Sequence, residues 1–290
     1  MKLVLRFFAP TPVPTSFAFA LGLLSTLNLQ LSTFAQGSLT PPGVPAPTMK
    51  TLAQIEPRTP ISTFGTNLTI SGSYYLITNL FSGSSTGDAI TIKTNIHDIT
   101  IDLDGFSIVS TNPPGPDSPV GIRLSETTNI VIRNGQFSGF DRAVRCEGKF
   151  YGIVVDNVHA QYCHRAGVEA DGIVGTPTAT ITVRNCVIDR VDATGEGGSS
   201  SADGIVLLNC TAMVDSCVVR DITPDAGGLG TCIHVITCTN TFINNNFLSH
   251  AAYGLDSSGT PGTFFYRNNL TSGCGTNFTG TGGVDRGGNF

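Results

Sequence analysis

The chain has 290 residues, enough to bury a sizeable core in one large domain or two small ones. Charged residues make up 13% against an ordinary share of about 25%, and glycine reaches 34 residues, which suits an all-β protein with many turns rather than a helical one. The formal net charge is −5 with no lysine-rich or arginine-rich run, so binding to a phosphate backbone is excluded as the main activity and no nucleic-acid partner is expected.

The first 35 residues place Lys2 and Arg6 ahead of an apolar centre around Phe17 to Leu24 and finish on small residues with Ala35 last. That order predicts a signal peptide over 1–35. Ser25, Thr26, Asn28 and Gln30 break the apolar run short of the ~20 residues a retained anchor needs, so no membrane span is expected once the signal is removed. Loss of Lys2 and Arg6 leaves 14 basic against 21 acidic residues, a net charge near −7. The expected location is secreted, periplasmic or cell surface. Residues 36–64 follow as a proline-rich leader and N-terminal cap, and residues 65–290 are β-like throughout.

Within that β region a unit recurs: "ITIDLDGFSI" (99–108), "IVIRNGQFSG" (130–139), "IVVDNVHAQY" (153–162), "ITVRNCVIDR" (181–190), "AMVDSCVVRD" (212–221), "TFINNNFLSH" (241–250) and "TFFYRNNLTS" (263–272). Asp104, Asn134, Asn157, Asn185, Ser216, Asn245 and Asn268 align at one position, 23 to 31 residues apart. A second short strand set lies between these units. No unit carries enough apolar surface to fold alone, whereas stacking buries the Ile, Val and Leu of all seven in one column. Asn134-Gly135 has the form of a hairpin tip, but the other six units place Asp, Asn or Ser there, most without a following glycine, so a corner is expected.

The repeated "V-x-I-x-N-x-x-I" pattern with a polar corner ladder resembles the right-handed parallel β-helix family, the pectate-lyase-like superfamily, over roughly residues 65–285. The resemblance implies an all-β, single-stranded right-handed parallel β-helix, a solenoid of about seven coils. An antiparallel sandwich or barrel is the alternative for such alternation, but it gives no reason for Asn at equivalent corners. The leader followed by "GSYYL" is similar to the opening of a group of secreted bacterial β-helix proteins.

Coils stack about 4.8 Å apart, so the alignment predicts neighbours. In the second strand set Ile90, Ile122, Val144, Val168, Ile205, Ile233 and Leu255 should point inward. The outward row one residue on is Thr91, Arg123, Arg145, Glu169, Val206, His234 and Asp256, and two further on stand Lys93, Ser125, Glu147, Asp171, Leu208, Ile236 and Ser258. Arg123 then stacks on Arg145 and Glu147 on Asp171, which is unfavourable unless something intervenes. A Ca²⁺ held by Glu147, Glu169 and Asp171 would relieve the acids, and an acidic sugar on Arg123 and Arg145 would relieve the bases. The alternative is a self-neutralising, solvated ion-pair network. The insertions at 110–120, 191–203 and 223–231 precede strands of this set and should wall one flank of the face.

Eight cysteines in an exported chain favour disulfides, and the alignment pairs Cys210 with Cys238 and Cys186 with Cys217; buried free thiols are the alternative. There is no CxxC and no HExxH spacing to suggest zinc. His234 is the one histidine projecting from the charged face, a candidate acid or base.

The polygalacturonase-like branch of the family carries paired aspartates and Gly-His-Gly, both missing here. The lyase-like branch implies Ca²⁺ on acidic side chains with an arginine as base, which Glu147, Glu169, Asp171 and Arg123 or Arg145 match by type. Glu169 with Asp256 is a carboxyl pair such a face could offer for hydrolysis. Two functions are therefore expected: a non-catalytic structural or carbohydrate-interacting protein, or a polysaccharide lyase or glycosidase with Arg123, Arg145, Glu169, His234 and Asp256 as candidate catalytic residues. The expected partner is a polysaccharide and the expected state a monomer.

Overall fold

The computed structural model describes residues 57–290 apart from 84–85, 112–118, 176–178, 196–199 and 259–262. The signal peptide, the leader up to residue 56, most of the 110–120 insertion and part of the 191–203 insertion lie outside the described residues. Every strand pairing among the described residues is parallel, and the strands fall into two sheets. One holds nine strands in spatial order: Thr66–Leu68, Ile90–Ile92, Val120–Ser125, Arg142–Gly148, Ala166–Gly172, Ala202–Leu208, Gly230–Ile236, Tyr253–Ser258 and Thr276–Gly280. The other is a branched sheet of sixteen strands that supplies the remaining faces of each coil. Sequential coils pair side by side, so the chain is a right-handed parallel β-helix of about seven coils, and the sandwich alternative falls. Pairing starts at Thr59–Ile61, inside the stretch expected to be leader and cap. No helix of the described residues is long and apolar enough to cross a membrane.

The register follows from alternation of apolar and polar residues. Ile90, Ile122, Val144, Val168, Ile205, Ile233 and Leu255 pair in sequence and are 0–1% exposed, forming the inner wall of the nine-stranded sheet. Burial of each such side chain contributes about 1.5–3 kcal/mol, and a one-residue slip would turn every one of them to solvent.

Corners are made by left-handed backbone. Asp104, Asn134, Asn157, Asn185, Ser216, Asn245 and Asn268 all have φ between 50° and 60°. An ordinary L-residue loses roughly 1–2 kcal/mol in that conformation, while Asn and Asp tolerate it best, which accounts for the aligned positions. Their amides also bond between coils: Asn157 donates to Asn134 at 3.0 Å, and Asn268 to Asn245 at 3.2 Å. This outer ladder is mostly solvent-exposed; the buried one lies one residue further on. There Asn246 donates to Asn269 at 2.9 Å, and Asn269 to Asn289 at 3.1 Å. Asn134-Gly135 lies within one 11-residue strand, Thr128–Ser138, and a Cβ on Gly135 would stand 2.2 Å from Leu103 Cβ. The glycine is there for close packing inside a corner rather than for a hairpin.

The expected disulfides are not formed: all eight cysteines are free thiols. Cys210 and Cys238 do stack on adjacent coils, with Sγ atoms 3.6 Å apart, against about 2.05 Å for a bond. Parallel stacking aims these thiols at backbone carbonyls instead. Cys238 donates to Leu207 O at 3.2 Å, Cys186 to Arg184 O at 3.1 Å and Cys217 to Asp215 O at 3.4 Å.

Candidate functional site

The nine-stranded sheet carries the charged rows in the anticipated register. Arg123 pairs with Arg145, Arg145 with Glu169, Glu169 with Val206, Val206 with His234, and His234 with Asp256. Pairing of Glu147 with Asp171 and of Leu208 with Ile236 forms the second row. What the side chains do on that scaffold divides the face into two halves.

The half nearer the N-terminus is an ion-pair network. Arg123 donates through Nε to Asp88 at 2.5 Å and lies 3.4 Å from Glu147. Burial works against the Arg123 charge, but the Asp88 hydrogen bond and the charges of Asp88 and Glu147 prevail and raise its pKa. Arg145 stands 3.3 Å from Glu147 and 3.0 Å from Glu169. Arg142 donates to Glu169 and to Asp141, a carboxylate 3% exposed. Both candidate arginines are therefore neutralised by carboxylates on neighbouring coils.

Those pairs also occupy the carboxylates of the expected calcium site. Glu147 and Glu169 face guanidinium groups, and Asp171 is left beside them. Burial pushes the Asp171 pKa up first, and the charges of Glu169 and Glu147 push it further. Among the described residues no three acidic, histidine or cysteine side chains converge, and Glu147 and Glu169 are each paired with guanidinium groups.

The other half centres on an imidazole between two aspartates. His234 Nδ1 is 3.5 Å from Asp203 Oδ2, and Nε2 is 3.7 Å from Asp256 Oδ2 and 3.0 Å from Ser258 Oγ. The His234, Asp203 and Asp256 side chains are only 10–12% exposed. Burial alone would lower the His234 pKa, but the Asp203 hydrogen bond and the charges of Asp203 and Asp256 outweigh it and raise the value. Asp203 Oδ1 and the neighbouring Thr231 Oγ1 are buried and have no hydrogen-bond partner. Between this group and the arginine network opens a cleft of about 310 Å³ lined by Arg142, Arg165, Glu169, Ser200, Ser201, Asp203 and Val206.

The structure thus brings His234 and Asp256 together and places Glu169 on the cleft beside Asp203, apart from Arg123. Sequence reasoning missed Asp88, Asp141, Arg142 and Asp203. Aligning the residue three before each outward position would have found Arg142 and Asp203, which stand on one further row through Ala166.

No protein-family model matches the chain, and no curated protein matches it. Among solved structures it is similar to the enzymatically active domain of tailspike protein 2 of bacteriophage CBA120, at 13% identity and a TM-score of 0.48, covering 76% of this chain and 43% of that one. It is also similar to tailspike protein gp49 of Acinetobacter baumannii bacteriophage Fri1, a capsular polysaccharide depolymerase, at 10% identity, a TM-score of 0.27 and coverage of 80% and 58%. The catalytic unit of a GH87 alpha-1,3-glucanase from Streptomyces thermodiastaticus matches at 9% identity, a TM-score of 0.26 and coverage of 80% and 62%.

Proposed function

We propose that this protein is an exported, carbohydrate-interacting β-helix that receives a polysaccharide on its nine-stranded face. The carrying observation is the cleft beside Asp203. Its walls offer guanidinium donors from Arg142 and Arg165, hydroxyls from Ser200 and Ser201 and carboxylates from Glu169 and Asp203. Sugar hydroxyls both donate and accept, and they match such a mixed lining. Retention of the protein in native gels containing soluble polysaccharides tests this reading. Ser201→Trp, which fills the cleft, should weaken retention about tenfold; a protein that migrates alike in every polymer would remove the reading.

A second reading, hydrolysis, is favoured by Asp203 and Asp256 flanking one imidazole. They stand on strands two coils apart, with the His234 ring 3.5 Å from one carboxylate and 3.7 Å from the other, and a pair of carboxyl groups is what inverting glycosidases use. The lyase alternative is weakened because Arg123 and Arg145, its candidate bases, are both paired with carboxylates. Asp256→Asn should abolish release of reducing ends from a retained polymer while leaving retention in place.

A further inference from the structure

The last coils carry a second charged surface on the sixteen-stranded sheet, away from the cleft. One outward row there reads, in register, Asp102, Arg133, Asp156, Arg184, Asp215, Asn244 and Arg267. Acid and base alternate as far as Asp215, and the pairs close: Arg133 is 2.9 Å from Asp102, and Arg184 is 2.9 Å from Asp156. The alternation then fails. Arg267 has the neutral Asn244 on one side, and on the other the strand Gly283–Asp285, which pairs Tyr266 with Asp285 and so brings Arg286 to the next place in the row.

From Arg123 to Arg220 every described arginine has a carboxylate within 4 Å, whereas Arg267 and Arg286 have none among the described residues. Two like charges on adjacent strands without a counter-ion are unfavourable, and an anion between them would reverse that sign. The wall beside them is aromatic. Phe242 and Phe265 stack at 5.3 Å with 25° between their planes, the Arg286 guanidinium lies 4.7 Å over the Phe265 ring, and Phe242 remains 46% exposed. Phe242, Asn244, Phe265, Arg267 and Arg286 enclose an open groove of about 470 Å³.

We infer that this groove binds the carboxylate-bearing sugar of an acidic polysaccharide. The carboxylate bridges Arg267 and Arg286, Asn244 bonds a ring hydroxyl, and the sugar's C–H face lies along the phenylalanines. A bare anion would use the arginines but not the aromatic wall, and a neutral glycan would use the wall but leave the arginines unrelieved. The choice of a glycan over another polyanion rests on the carbohydrate reading above, while the groove itself is separate from the cleft.

The test is affinity electrophoresis of the full chain in polygalacturonate, in dextran and in polyglutamate, with melting temperatures recorded for every variant. Arg267→Gln/Arg286→Gln should weaken polygalacturonate retention at least tenfold without lowering the melting temperature, since it removes a like-charge contact. Phe242→Ala should weaken polygalacturonate retention several-fold. Arg267→Gln/Arg286→Gln should cost the same fold of polygalacturonate retention in the Ser201→Trp background as in the parent chain, so failure of the cleft and failure of the groove are read separately. Unchanged polygalacturonate retention in the double arginine variant would overturn the inference. Polyglutamate retention that matches polygalacturonate and ignores Phe242→Ala would equally overturn it, by showing a site for anions in general.

Discussion

The His234 imidazole faces the Asp203 carboxylate from the next coil, Nδ1 to Oδ2 at 3.5 Å, with Asp256 closing the other side at 3.7 Å. Burial opposes the imidazolium, but the two carboxylates win and the folded-state pKa lies above 6.5. The protonated pair therefore stabilises the fold fully below the unfolded-state value near 6.5, and the contribution is lost as pH rises through the higher folded-state pKa. An NMR titration of the His234 ring should give a midpoint above 6.5, and Asp203→Asn should bring it down. The melting-temperature advantage of wild type over His234→Gln should shrink as pH rises; an advantage that grows would contradict the assignment.

The arginine network makes a different prediction, about stability rather than titration. Arg145→Ala takes from Glu169, 12% exposed, its 3.0 Å partner and leaves it Arg142, and leaves Glu147 with Arg123 and the Ser125 hydroxyl. Breaking a buried pair costs about 3–5 kcal/mol, and partial exposure of Arg145 discounts that to about 1–3 kcal/mol. Arg184→Ala removes a pair whose arginine is 48% exposed and should cost under about 1 kcal/mol. Urea midpoints compare the two directly. Equal losses would mean that the face is solvated throughout.

The inner and outer rows of the nine-stranded sheet were legible because alternation is strict from Val144 to Glu147 and recurs in the other coils. The row through Arg142 and Asp203 was not, for a local reason. Val144 pairs with Val168 and Arg142 with Ala166, but Ala143 is passed over, so both Ala143 and Val144 point inward. Counting by twos from Arg145 therefore lands on Ala143 and skips the arginine that bonds Glu169. The same step at Gly204 hides Asp203. Corner chemistry was legible as Asn, Asp and Ser in line, since only a left-handed backbone asks for them seven times. The direction in which a thiol points inside a stack has no such signature, and the disulfide expectation failed there.

Gly135 and Asn134 should differ in how much substitution costs. A Cβ at Gly135 meets Leu103 Cβ at 2.2 Å and Phe106 O at 2.9 Å, so Gly135→Ala overpacks the corner and should cost about 1–3 kcal/mol. Asn134 has φ 60°, which glycine adopts freely, and its amide bonds Asp102 at 3.1 Å and accepts from Asn157 at 3.0 Å. Asn134→Gly should therefore cost about 1 kcal/mol or less, the relieved backbone offsetting part of two exposed hydrogen bonds, and Asn134→Ala more than Asn134→Gly. Thermal melts of the three variants order them; Gly135→Ala at or above wild type would mean that the corner is looser than its packing implies.

Thiol reactivity should separate the cysteines along the stack. A thiolate reacts and a thiol does not, so local pKa sets the rate. The neighbouring Cys232 thiol, with help from the His250 charge against partial burial, brings the Cys274 pKa down to about 6. Cys274 is also half-buried rather than buried. Burial instead pushes Cys163 up to about 12, and pushes Cys146 up with the charges of Glu169 and Glu147 adding to it. Iodoacetamide at pH 7 should then label Cys274 in the native protein while Cys146 and Cys163 stay unmodified until denaturant is added, as peptide mass spectrometry would show. The Cys274 rate should fall as pH drops through about 6, and Cys232→Ala should move that midpoint upward, because it removes the neighbouring thiol that favours the Cys274 thiolate. Native labelling of Cys146 at the rate of Cys274 would mean that the coils open to solvent, and the column of apolar side chains would then not be the closed core that its burial implies.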